Sequence, residues 1–557
     1  MVKRQSESTL LLLAVIGVIL FLSVIFTSSY LLGTDQAEEE ASQTPAITMQ
    51  EAADVAVRFA QKQFQLSSNY EASTLYQTHS KRSGYLQKEH LSDTYSERFA
   101  NLPIDYYEVE INDLSRGSTT YYVDINYENS QVLGWSAHLS PLTKANTVAS
   151  SLVEPQALAE QAIQDQGYTL ADFTKLDLDK SPALEKGSSL PAALGSSFVY
   201  QSLTNQIGEA RLHLSLAVSG GKIVSFYPLF NIPASFEAWQ AAQNDSASLM
   251  TRISMLVSLG MAAYALYILI RYRREITFRS GLWLTVIFLI IYIGNNFNML
   301  PAFRTSHSEG PSQFEALFYL AFLNVIIVMM AVSVYLSVLA GKQMWSRFHW
   351  NPLPSWKESS FGRDALTAMG RGYLLCLFIL GVQQVLFFIA EQAFDVWSVN
   401  DASDSVLNMS IPGFFPLMAW AAAISEEAIY RLFGIAFFMK ICRFRFLAIL
   451  LPSVIWALSH TQYPIYPVYT RLVEVTIIGV IFGYAFLKYG FMTVLFAHAS
   501  MDSILMGMSL YGLGDWTHIL IGSFYLVFPA LVGWFIYKLH QSRTKRRASS
   551  MPRLDQY

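Results

Sequence analysis

The sequence predicts a polytopic, all-α membrane core of about ten spans carrying an α+β extracytoplasmic domain of two helix-plus-antiparallel-sheet repeats. Three observations predict it. Hydrophobic residues make up 52% of the 557 residues and charged residues only 14%, a membrane composition. Apolar runs near 10–32, 253–270, 281–300, 316–340, 372–390, 412–438, 446–460, 472–487, 491–509 and 519–537 recur through the chain, most long enough to cross hydrocarbon as a helix. Between the first run and the rest, residues 34–248 have the composition of a soluble domain, with alternating strand patterns. A formal net charge of −4 gives no reason to expect nucleic acid as a partner. The only cysteines, Cys376 and Cys442, lie in or beside apolar runs. No disulfide framework is available to the exported part, which must hold together by packing.

Met1-Val2-Lys3-Arg4-Gln5 precedes the first apolar run, Leu10 to Phe26, continued by Thr27 to Leu32. A basic start and an apolar middle also describe a removed signal peptide. The run is long and no small-x-small cleavage site follows it, so residues 1–33 read as an uncleaved anchor. The soluble stretch opens with the acidic linker Asp35 to Glu40 and then repeats itself. Glu51 to Ala60 and Pro155 to Ile163 each have helical periodicity, and each is followed by strands ending in a hairpin. The first hairpin runs from Tyr121 to Tyr127, turns at Asn129-Ser130 and returns over Gln131 to Trp135; the second runs from Leu212 to Val218, turns at Gly220-Gly221 and returns over Lys222 to Phe226. The two units, about 45–145 and 150–235, resemble the PepSY type of module. His79, His90, His138 and His213 are scattered and read as surface or packing residues. The domain is expected to offer a surface to a protein or peptide partner rather than a catalytic cluster.

Charges between the runs orient the chain. With a cytoplasmic N-terminus, Arg271-Tyr272-Arg273-Arg274, Lys342 to Arg371, Lys440 to Arg445, Lys488 and the tail Arg543-Thr544-Lys545-Arg546-Arg547 all fall inside. The external loops hold little positive charge: Arg304 in one, Arg471 in another, none in Glu391 to Ser410 or Tyr511 to His518. The chain then divides into the anchor, the external domain, spans and a cytoplasmic loop over 249–370, a core over 371–540 and a basic cytoplasmic tail over 541–557. The pattern predicts an integral, multi-pass membrane protein surrounded by the lipid bilayer, with the bacterial plasma (inner) membrane as its expected location. Asn295, Asn296, Asn298, Gln383 and Gln384 lie in spans, where hydrogen bonds between helices are their default role.

The sixth run carries Ser425-Glu426-Glu427-Ala428-Ile429-Tyr430-Arg431. Charged groups at that depth cost roughly 2.5–3.5 kcal/mol each on insertion scales. Glu427 and Arg431 stand at i,i+4, the order of a favourable ion pair. Glu426 lies about 140° round the helix from Arg431 and is left to face a cavity. Trp456-Ala457-Leu458-Ser459-His460 ends the seventh run, and His498 and Asp502 stand one turn apart in the ninth. A structural clamp between spans would use such groups. So would a hydrolase in which a buried glutamate activates water beside neutral imidazoles, and so would a zinc site built from Glu426, His460 and His498 with a position open for water. Counting residues along the spans puts Glu426 near mid-membrane and His460 towards the outer end of its helix, a mismatch in level.

Glu426-Glu427-x-x-x-Arg431, Trp456-x-x-x-His460 and His498-x-x-x-Asp502, in that order over roughly 370–540, resemble the three motifs of the CPBP family, which includes the type II CAAX prenyl endopeptidases and bacteriocin-processing and immunity-type membrane proteases. The resemblance implies an intramembrane endopeptidase acting on a peptide or protein at the membrane. Glu426 would be the base for the attacking water, His460 would hold that water, His498 and Asp502 would stabilise the oxyanion, and Glu427 with Arg431 would organise the site. Two departures stand out: Trp456 where the family usually has Phe, and Asp502 where it often has Asn, which slightly favours a metal-binding or His-orienting duty for Asp502. The family has been read both as metal-free and as metal-dependent, so the expectation is either no cofactor or Zn2+. A non-enzymatic immunity or scaffold protein is the alternative. A proton-coupled transporter is a weaker one, because no inverted repeat and no matched pair of Gly/Pro-broken spans is present.

Overall fold

The computed structural model describes residues 2–32, 45–115, 119–138, 154–177, 196–304 and 313–550; the acidic linker Asp35–Glu40 lies outside them. The soluble stretch forms one antiparallel sheet of eight strands: β1 Tyr70–Thr78, β2 Asp105–Asp113, β3 Thr119–Ile125, β4 Val132–His138, β5 Phe173–Lys175, β6 Ser196–Ile207, β7 Ala210–Ser219 and β8 Lys222–Asn231. Its order is β1-β2-β3-β4-β8-β7-β6-β5. The helix Met49–Phe64 precedes the first four strands and Pro155–Asp165 the second four. Thr48 starts the first helix with a capping box, its hydroxyl accepting from the Glu51 N–H while Glu51 accepts from the Thr48 N–H at 2.7 Å. Both expected hairpins are present. Gly220 and Gly221 have φ of 57° and 73°, the backbone that a two-residue turn between twisted strands requires.

The pattern predicts two small sheets, and here the structure differs. β4 pairs with β8 through Trp135 opposite Phe226 and Ser136 opposite Ser225, so the two halves merge. Each half would otherwise present an unpaired edge, and joining them removes two. The Trp135 and Phe226 rings stack at 5.2 Å across the seam, which fills the junction with aromatic area rather than solvent.

On β2 and β3, Glu108 lies directly opposite Asp124. Burial pushes the Glu108 carboxyl up to about 7, the Gln77 amide at 3.3 Å opposes this, and Glu110 adds to it. Burial, and then Glu108, hold Asp124 well above its usual range. Both folded values lie above the unfolded ones, so the folded domain keeps protons that the unfolded chain releases in the ordinary carboxylate range. The pair's contribution is fully present below that range and is lost as pH rises through about 7. The full chain in detergent should therefore melt at a lower temperature at about pH 8 than at about pH 5, and Glu108→Gln should flatten the dependence. A flat wild-type profile would contradict this account of the pair.

Seven helices among the described residues are long and apolar enough to cross a membrane: Glu7–Tyr30, Ala234–Arg271, Glu315–Arg347, Phe361–Phe394, Val468–Tyr489, Phe491–Leu513 and Trp516–Lys545. About ten spans were expected, and the other three runs take a different form. Leu282–Asn298 and Arg445–Leu458 are shorter apolar helices. The 14 residues of Arg445–Leu458 reach only about 21 Å against a hydrocarbon core of about 30 Å. The third run is helical in three pieces: an α-helix Met418–Glu426, a π-helix Glu427–Ile435 and an α-helix Ala436–Cys442.

The soluble and membrane parts are tied together beside these short elements. Ala234–Arg271 leaves the sheet and runs 38 residues without a break. Along it, Ser254 donates to the Ile455 carbonyl at 2.6 Å and Thr251 to Leu458 at 3.3 Å. These bonds moor the end of the Arg445–Leu458 helix, just before His460. The Asn408 side chain accepts from the Tyr76 N–H at 2.7 Å and donates to the Tyr76 carbonyl at 2.8 Å, fixing β1 to the loop that enters the Met418–Cys442 segment. Among the span amides, Asn296 donates to Asn324 at 2.9 Å and Gln383 to Glu474 at 3.1 Å, between helices as expected. Asn295 instead contacts Met299 within its own helix.

Candidate active site

The chain enters the core as a 3-10 segment, Pro412–Leu417, and becomes α-helical only at Met418. Glu426 is the last residue of that α-helix, and the π-helix opens at Glu427. A π turn takes about 4.4 residues rather than 3.6, and such turns are common at functional sites. Here it falls between the two glutamates and widens the turn that carries Glu427 and Arg431. The late start of this helix and the short Arg445–Leu458 helix remove the mismatch in level. His460 Nε2 lies 3.9 Å from Glu426 Oε1, two residues beyond the end of its helix.

Glu427 is fully buried and Arg431 nearly so. Glu427 Oε1 takes a 2.8 Å hydrogen bond from His498 Nδ1 and lies 3.1 Å from Arg431 Nη1. That second contact is an ion pair by distance, without the alignment of a hydrogen bond. The guanidinium is instead held between aromatic faces, 4.1 Å from the Trp456 ring centre and 5.1 Å from that of Phe482, a cation–π setting of the desolvated kind. Helix approach permits this density. A Cβ on Gly372 would stand 2.7 Å from Phe496 Cβ, so only glycine lets the Phe361–Phe394 helix come this close to the turn carrying His498.

His460 finds its nearest partner in a backbone carbonyl of its own turn. Its Nδ1 sits 2.9 Å from the Trp456 carbonyl and 3.2 Å from Ser459 Oγ. A carbonyl only accepts, so Nδ1 carries the proton and Nε2 turns a lone pair towards Glu426. A water placed between Nε2 and Oε1 would reach both. His498 Nε2 lies 3.7 Å from Glu426 Oε2 and 3.3 Å from Asp502 Oδ2. Asp502 and Glu426 thus both face Nε2, while Glu427 stands behind the ring at Nδ1, in the place of an orienting carboxylate. Glu426, His460 and Asp502 keep 16–19% of their side-chain surface exposed, while Glu427, Arg431 and His498 have at most 3%. The six residues predicted from the sequence therefore meet in one place, as an outer trio that solvent reaches and an inner trio that it does not.

Sequence reasoning missed three contributors. Trp456 Nε1 donates to Glu426 Oε2. Phe482 packs on both Arg431 and His498, the latter at 5.2 Å. Tyr463 stacks on His460 at 6.0 Å, with Arg471 5.4 Å from the Tyr463 ring. The signal available for the first was the indole itself, a donor where the motif usually has a plain ring. The external histidines stay apart from the site: His79 stacks on Tyr106 at 4.9 Å, and His90 lies 3.5 Å from Asp395.

Zinc would need Glu426, His460 and His498 to converge on one ion. Among the described residues no group of three or more His, Cys, Asp or Glu is placed to hold one. Both nitrogens of His498 face carboxylate oxygens, Nδ1 that of Glu427 and Nε2 those of Asp502 and Glu426. With Nδ1 donating to Glu427, Nε2 is either a second donor to these carboxylates or a lone pair beside them, and the second arrangement is also the one a metal ligand uses.

Comparison with known proteins agrees on the family. Residues 408–504 match the family model described as type II CAAX prenyl endopeptidase Rce1-like; all six site residues lie within that segment. The chain is 26% identical over 182 residues to the sporulation-killing factor biosynthesis protein SkfC of Bacillus subtilis (strain 168), a match that covers 32% of this chain and 34% of that protein. The matched part spans about a third of that relative's length. No solved structure matches.

Proposed function

Because residues 408–504 form a domain of the Rce1-like type II CAAX prenyl endopeptidase family, we propose that this membrane protease is an intramembrane endopeptidase in which Glu426 activates water to hydrolyse a peptide bond of a membrane-associated or membrane-proximal substrate. The observation that carries the reading is the pairing of Glu426 Oε1 with the lone-pair nitrogen of His460 at 3.9 Å, at a spot that solvent reaches. Glu426 takes the proton from the water as its oxygen attacks the scissile carbonyl. His460 Nε2 accepts the water's other hydrogen bond and aims it. His498, held at Nδ1 by Glu427, donates from Nε2 to the oxyanion beside Asp502, which requires a proton on both ring nitrogens. Glu426 then hands its proton to the leaving amine. No cofactor enters these steps.

The site lies at the end of the helices that meets the sheet domain, so the cleaved bond is on that domain's side of the membrane. Basic residues between the spans favour the extracytoplasmic side of a bacterial plasma membrane, and the sheet domain is proposed to hold the protein or peptide partner there. A cysteine at position 130 should react with an impermeant maleimide in intact cells; protection of that cysteine until lysis would reverse the orientation. Membranes that contain the chain should release peptides with new termini, seen by mass spectrometry against membranes that lack it. Treatment with a strong chelator should leave that release intact. Absence of new termini would sink the peptidase reading, and loss on chelation with recovery on zinc would sink the metal-free one.

A further inference from the structure

Trp456, at the position where the family usually has phenylalanine, touches four of the six site residues. Its indole N–H donates to Glu426 Oε2. Its carbonyl receives His460 Nδ1 at 2.9 Å. Its ring face carries Arg431 at 4.1 Å, and its edge meets His498 at 5.9 Å. The side chain is 3% exposed, so the indole has little freedom to leave. A phenylalanine would keep the carbonyl and part of the ring contact, and would lose the N–H together with the rest of the indole. That one donor decides how the Glu426 carboxylate stands. With Oε2 tied to the indole, the carboxylate cannot rotate, and Oε1 is the oxygen left facing His460.

We propose that Trp456 is a positioning residue whose indole N–H locks the Glu426 carboxylate and selects Oε1 as the atom that takes the proton from water. This rests on the peptidase reading for its consequence, and on the contact alone for its geometry. A charge-assisted hydrogen bond to a mostly buried carboxylate holds one rotamer over its alternatives. Losing it spreads Glu426 over orientations in which no oxygen shares a water with His460, and the rate falls in proportion to the orientation lost.

The test separates the contact from the chemistry. Ultraviolet resonance Raman spectra of the full chain in detergent, wild type minus Trp456→Phe, isolate this one indole. The difference should carry the signature of a hydrogen-bonded N–H, should lose it when both proteins also carry Glu426→Ala, and should keep it with Asp502→Asn. A free N–H in the first difference, or a bonded one that survives Glu426→Ala, overturns the proposal whether or not the protein cleaves anything. In the activity arm, peptide release from membranes should slow about tenfold in Trp456→Phe. It should slow equally when benzothienylalanine, which has the shape of tryptophan without its N–H, occupies position 456. Full activity of that analogue would overturn the positioning role. Failure of Glu426→Gln to alter release, with the Raman result intact, would instead count against Glu426 as the base, on which the proposed function rests.

Discussion

Replacing Glu427 by glutamine is expected to remove folded protein from the membrane together with activity. The carboxylate has no exposed surface, and Arg431 has 2%. Glu427 is the carboxylate that faces this guanidinium, at 3.1 Å. It also fixes His498 through Nδ1 at 2.8 Å. An amide supplies no charge, so Arg431 would remain buried and uncompensated apart from the faces of Trp456 and Phe482. Breaking one side of a buried pair costs about 3–5 kcal/mol, a large share of the roughly 5–15 kcal/mol that holds a protein folded. The measurement is the melting temperature and the recovery of monodisperse protein in detergent. Glu427→Gln/Arg431→Met should recover part of the stability, because the stranded charge is gone, and little of the activity, because the amide oxygen still accepts from His498 Nδ1 but no longer supplies the charge that polarises that imidazole. A single variant that melts like wild type would show that the pair is not what holds these helices together.

The chemistry of the site was more legible in the sequence than its architecture, for a physical reason. Glu427 and Arg431 are four residues apart on one helix, and short-range spacing on a helix survives whatever surrounds it. Even the π turn, which no local pattern announces, leaves them on a common face. The same holds for His498 and Asp502. Contacts between helices have no such rule. Trp456 and Glu426 are 30 residues apart, and whether the indole turns its edge or its face to the carboxylate depends on packing from Phe482 and Arg431. Span counting met a related limit. Hydropathy marks the Arg445–Leu458 run as apolar but does not mark where its helix stops, at the carbonyls that Ser254 and Thr251 hold from a distant helix. In the soluble part the hairpins were visible because Asn129-Ser130 and Gly220-Gly221 are local turn chemistry. The β4–β8 seam was not, since nothing in either strand names its neighbour.

Glu426→Gln should lower peptide release by a factor of about a thousand while leaving the protein folded, the reverse of the balance at Glu427. General base catalysis accounts for about 10²–10⁴ in rate, and an amide oxygen cannot hold the proton that water must give up. The same oxygen still accepts from the Trp456 indole, and glutamine has nearly the volume of glutamate, so the packing survives. Glu426 has 19% of its side chain exposed and its nearest charged-capable neighbours are histidines at 3.7 and 3.9 Å. Loss of its charge strands no buried cation, and the change in stability should stay within about 1 kcal/mol. His460→Gln should fall between, at about a hundredfold loss, because the water loses its aim and keeps its base. Release rates and melting temperatures measured side by side for Glu426→Gln, Glu427→Gln and His460→Gln would separate the roles. Normal release by Glu426→Gln protein would remove it as the base, and a collapse of that variant's melting temperature would make it part of the inner clamp instead.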